Sequence, residues 1–101
     1  PSAISDIAIM PMEEVETGYY LRILAVDKPG VLADVTSILG DLEISIEAII
    51  QKEPEDDASN VPVIFLTQKT LEKKMNQAIE KIEALESVND KVRRIRVEYL
   101  A

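Results

Sequence analysis

The sequence predicts an α+β fold of two layers, with two helices packed on one face of a four-stranded antiparallel sheet. Three observations carry this expectation. Four short segments, 19–26, 44–52, 61–67 and 92–100, are rich in β-formers. Two segments between them carry one apolar stripe each at helical spacing. The resulting order is β-α-β-β-α-β. One-faced helices and largely alternating strands bury their apolar sides best as two layers, and this order is the ferredoxin-like split arrangement.

Residues 1–18 read as a leader, the tail of a preceding domain, with Gly18 as the last breaker before the domain at 19–101. YYLRILAV (19–26) is the first strand and ends at the turn signal DKPG. Val31, Leu32, Val35, Ile38 and Leu39 then form a helical stripe, so 29–39 is the first helix, with Pro29 at its first position and Gly40 as its left-handed C′ residue. ISIEAIIQK (44–52) alternates, with Ile44, Ile46, Ala48 and Ile50 on one face. EPEDDASN (53–60) has the composition of a solvated loop. VPVIFLT (61–67) is the third strand, with Pro62 suited to the strand start or an unpaired edge position.

The second helix is expected to be capped by Thr70, with Glu72 in its first turn and Leu71, Met75, Ala78, Ile79, Ile82 and Leu85 on its apolar face. In VRRIRVEYL (92–100), Ile95, Val97 and Tyr99 share one face and Arg94, Arg96 and Glu98 the other. The arginine pair is assigned to the uncovered face of the sheet together with Arg22 and Glu47, balancing cross-strand carboxylates.

At 101 residues the chain has the length of one domain. A formal charge of −8 and only four aromatic residues argue against a nucleic-acid partner. No apolar run approaches the roughly 20 residues that span a bilayer, so no membrane partner is expected. The chain has neither cysteine nor histidine, which removes thiolate chemistry, the commonest neutral-pH acid/base and the commonest zinc ligand. No metal site is expected: Glu53, Glu55, Asp56 and Asp57 lack the spaced ligands and glycine of a calcium loop. Phosphate-loop fingerprints are absent too, so no catalytic residue and no cofactor is assigned to this chain. A cytoplasmic setting is expected.

VDKPGVL (26–32) is the exception to this plain chemistry. Glycine is a poor helix former, yet Gly30 stands at a helix start. Without a side chain it leaves the first-turn N–H groups open to a close neighbour, and a helix N-terminus favours an anion. Asp27 beside it would attract an ammonium group. The stretch suits a zwitterion, with N–H groups for a carboxylate and Asp27 for an amine; the plainer reading, which the residues alone favour slightly, is a turn in which Asp27 caps the helix.

The order of elements, with DKPGVLADVTSIL between strand and helix and ISIEAIIQ on the second strand, resembles the ACT domain over about 19–100. ACT domains are regulatory modules of amino-acid metabolism. MPMEEVETGYYLRI, VPVIFLT and IEALESVNDKVRRIRVEYL further resemble the C-terminal region of the bacterial homoserine dehydrogenase family, and SAISDI resembles the end of its catalytic portion. That family interconverts L-aspartate 4-semialdehyde and L-homoserine with NAD(P)H.

The resemblance implies a feedback module, a small amino-acid effector (threonine), a homodimer through the sheet edge, and NAD(P) in the parent enzyme only. The implied effector residues are Asp27, Gly30, Val31 and Leu32 of one subunit, with Ser45 and Glu47 on the second strand of its partner. Two positions depart from the family: Ser45 stands where asparagine is frequent, and Gln68 follows the third strand's Thr67 where histidine is frequent. A ligand-free dimerisation module, or an ACT domain of another amino-acid enzyme or regulator, are the alternatives.

Overall fold

The computed structural model describes residues 14–26, 30–52, 60–88 and 90–97. Its elements are β1 (Glu16–Val26), α1 (Val31–Asp41), β2 (Ile46–Gln51), β3 (Asn60–Thr67), β4 (Thr70–Leu71), α2 (Glu72–Glu83) and β5 (Arg93–Val97). β1 is central. It pairs antiparallel with β3 on one side, from Tyr20–Leu66 to Val26–Asn60. β4 continues that side with Thr17–Thr70 and Glu16–Leu71, and β5 takes the other side from Gly18–Val97 to Arg22–Arg93. β2 adds to the outer side of β3. The α+β fold with two helices over an antiparallel sheet is therefore as expected, with the two-residue β4 as a fifth strand.

The core follows from strand alternation. Tyr19, Leu21, Ile23 and Ala25 of β1 are at most 2% exposed. They cluster with Val61, Val63 and Phe65 of β3, Val31, Val35 and Leu39 of α1, and Met75, Ala78, Ile79 and Ile82 of α2. Met75 fills this core as a flexible apolar side chain. Pro62 lies near the start of β3, one position before the Val63–Gln51 pair that ends the β2 ladder.

Several boundaries and faces differ from the sequence expectation. β1 starts at Glu16, inside the stretch read as leader, because Glu16 and Thr17 pair with Leu71 and Thr70. Thr70 is consequently a strand residue rather than a helix cap; Leu71 is the N-cap of α2, without a side-chain hydrogen bond. Gly40 lies within α1. The left-handed position falls instead on Glu43, at φ 61°. There the Glu43 N–H donates to the Gly40 carbonyl and the Ile44 N–H to the Leu39 carbonyl, both at 2.9 Å. These two bonds are the Schellman pattern.

In β2 the register shifts between Ile46 and Ala48. One extra residue reverses the phase of a strand. Ile46 faces the core, whereas Ala48 and Ile50 pair with Leu66 and Ile64 on the opposite face of the sheet.

The assignment of Arg94 and Arg96 to the uncovered face is also corrected. They stand directly opposite Leu21 and Tyr19, so they lie on the helix side. Their partners come from α2, not from another strand. Arg94 Nη1 donates to Asn76 Oδ1 at 2.6 Å, and Arg96 forks onto Glu72. Ile95, between them, takes the other face and is 60% exposed.

Candidate functional site

The first candidate region is the start of α1. Gly30 adopts φ 93°, and its carbonyl accepts the Asp34 N–H at 2.9 Å, the first bond of the helix. A left-handed backbone is costly for any residue with a Cβ, which explains the glycine directly. A Cβ built there would meet nothing within 4 Å, so the space in front of Gly30 is open. The N–H groups of Val31, Leu32 and Ala33 precede that first helical bond and are the donors a helix start leaves over. Val31 buries its side chain at 7% exposure and Leu32 packs half-buried against the core. The core therefore holds both side chains at the helix start. Asp27, the expected ammonium partner, lies outside the described residues, as do Pro29 and the acidic stretch 53–57.

Ser45 and Glu47 are exposed, Ser45 just before β2 and Glu47 at its register shift. Within one subunit they do not meet Gly30. β1 runs up to Val26, α1 returns over its 11 residues, and β2 starts at the far end. A helix of that length spans about 16 Å. Gly30 is level with the Val26–Asn60 end of the sheet, and Ser45 with the Tyr20–Leu66 end.

The two sheet edges are unlike. β5 presents Arg93, Arg94 and Arg96 within five residues, the kind of charged edge that resists pairing. β2 carries one charge, Glu47, in six residues, and Ile49 and Ile50 are 43% and 52% exposed on its two faces. Among the described residues no helix is long and apolar enough to cross a membrane.

Sequence reasoning missed a buried polar cluster at the opposite end of β1 from Gly30. The Tyr19 hydroxyl donates to Glu72 Oε1. Arg96 donates from Nε to Oε1 at 2.8 Å and from Nη2 to Oε2 at 2.5 Å. Tyr19 and Glu72 are 0% and 5% exposed. The Arg96 fork, helped by the Tyr19 hydroxyl, holds the Glu72 carboxyl below the usual carboxylate range against its own burial. Burial, reinforced by the adjacent carboxylate, pushes the Tyr19 phenol up to about 12. Glu72 at the head of a helix was visible in the sequence; its partners, 53 and 24 positions away, carried no local signal.

The topology is that of a small α+β domain, two helices over an antiparallel sheet. Residues 19–86 match the ACT domain family, and the chain belongs to it. The chain is 52% identical over 101 residues to a homoserine dehydrogenase of Methylobacillus glycogenes, covering 100% of this chain and 24% of that protein. It is 51% identical to the homoserine dehydrogenase of Pseudomonas aeruginosa, covering 99% of this chain and 23% of that protein. It thus spans about a quarter of the length of these relatives. Among solved structures, a homoserine dehydrogenase from Thiobacillus denitrificans superposes with TM-score 0.82 at 56% identity, over 92% of this chain and 20% of that one. The regulatory subunit of aspartate kinase from Thermus flavus shares the fold, with TM-score 0.58 at 19% identity over 79% of this chain and 52% of that one.

Proposed function

We propose that the chain is the effector-binding part of a homoserine dehydrogenase, that it takes threonine, and that two copies are needed to build the binding site. The observation that carries this reading is Gly30, left-handed at an open helix start whose side chains are locked into the core. Such a start suits the carboxylate of an amino acid, and Asp27 supplies the charge for its ammonium group.

Pairing β2 antiparallel with β2 of a second copy, about a two-fold axis, would set the partner subunit's Ser45 and Glu47 beside Gln51. That end of the strand is level with the α1 start, so the two halves of the candidate set would converge. The apolar β2 edge and the arginine-lined β5 edge favour this choice of edge.

The relatives' names support a parent that interconverts L-aspartate 4-semialdehyde and L-homoserine with NAD(P)H. The chain's three glycines form no dinucleotide fingerprint, so the cofactor belongs to the remainder of that parent. Inhibition by the effector then requires coupling of about 1–3 kcal/mol. Thermal melting tests the reading. Threonine raises the melting temperature of the chain, and Asp27→Ala removes the rise; a melting temperature indifferent to threonine contradicts it.

A further inference from the structure

A run of hydrogen bonds leads from Ser45 to the point where the polypeptide enters the domain. The Ser45 carbonyl accepts the Gln68 N–H at 2.9 Å. The Thr67 hydroxyl donates to the Gln68 carbonyl at 3.0 Å and accepts the Tyr19 N–H at 3.1 Å. Tyr19 in turn donates its phenol to Glu72. The Glu72 N–H donates to the Val15 carbonyl at 3.0 Å, and the Arg96 fork fixes the same carboxylate to β5.

Thr67 is the node of this path, and its chemistry is specific. The β1–β3 ladder ends at Tyr20–Leu66, so the next N–H, that of Tyr19, takes a side-chain hydroxyl instead. Thr67 is 0% exposed at the C-terminal end of β3, where valine has a similar shape but no hydroxyl. The hydroxyl links the Tyr19 N–H to the Gln68 carbonyl. Thr67, Tyr19 and Glu72 are all buried, so water does not substitute freely for a bond that lengthens.

We propose that this path reports effector occupancy at the start of β2 to the segment preceding Val15. The inference rests on the binding reading above: Ser45 contacts an effector seated over the partner's α1, and each subunit relays that contact along its own Thr67–Tyr19–Glu72 path. A displacement of the β2 start moves Gln68 with Ser45, which pulls on the Thr67 hydroxyl and hence on β1 where it meets α2 and β5.

Amide hydrogen exchange on the chain, read by NMR with and without saturating threonine, tests the relay. In the wild type, threonine slows exchange at Tyr19 and Glu72 by about threefold or more. Thr67→Val still binds threonine by calorimetry but loses the response at Glu72, and Thr67→Ser, which keeps the hydroxyl, restores it. Tyr19→Phe removes a separate link and gives the same loss, so the test does not depend on one variant folding. A Glu72 response in Thr67→Val equal to the wild type overturns the relay while leaving the binding site intact. Absence of threonine binding by the wild type overturns the site reading, and the relay with it.

Discussion

Tyr19 and Glu72 share a hydrogen bond between β1 and the first turn of α2, with both residues almost fully shielded from water. A hydrogen bond to a charged group contributes about 1.5–3 kcal/mol when its donor is deleted. Tyr19→Phe keeps the ring in the core and removes only the hydroxyl. It should lower the stability of the chain by an amount in that range, read as a lower urea midpoint with an unchanged slope.

Acid should act on the same cluster. The folded-state pKa of Glu72 is depressed, first by Arg96. Its contribution is therefore fully present above the unfolded pKa of about 4.3 and is lost as pH falls through the folded value. Stability measured from neutral pH downward should begin to drop as the pH nears that unfolded value. Glu72→Gln should be less stable at neutral pH and show a flatter acid limb. An acid limb of equal steepness in both proteins would show that other carboxylates dominate.

The glycines should respond with opposite signs. Gly30 needs its positive φ of 93°, so Gly30→Ala should destabilise by about 1–2 kcal/mol even though a methyl group has room there. Gly40 sits in helix α1 with a normal backbone and open space, so Gly40→Ala should stabilise by about 0.5–1 kcal/mol. Glu43→Gly should stabilise as well, because Glu43 holds the left-handed C′ position at φ 61°. The 3.5 Å pair it makes with Lys74 is too exposed to offset the gain. Thermal denaturation of the three variants checks all three signs.

These glycines mark where the sequence was legible and where it was not. The stripes Val31–Val35–Leu39 and Met75–Ile79–Ile82 were readable because burial repeats at the helical period, and every one of these residues reached the core. Gly30 could be singled out because glycine is out of place at a helix start, although its cause, a left-handed backbone, is a conformation that no neighbouring residue announces. Gly40 was read as the stop because glycine is the usual C′ residue, whereas Glu43 carries the strained angle. The shift between Ile46 and Ala48 reversed the faces of β2, since a single inserted residue leaves no trace in composition. Arg96 was placed on the wrong face because its partner, Glu72, is set by how α2 docks on β5 and not by any local pattern.

Association should depend on one edge. On the proposed β2 pairing, Ile50→Lys puts a charge on the apolar edge and should lower self-association in sedimentation experiments. Ile95 is more exposed, at 60%, but sits on the arginine-lined β5 edge. Ile95→Lys should leave self-association unchanged. The reverse outcome would assign the interface to β5.

The central claim is that two copies together bind threonine at the start of α1. Isothermal titration of the chain with threonine tests it most directly. The account predicts a saturable isotherm with one threonine per subunit, abolished in Ile50→Lys because that variant separates the two halves of the site. A flat titration up to millimolar threonine, with the dimer intact, would contradict it.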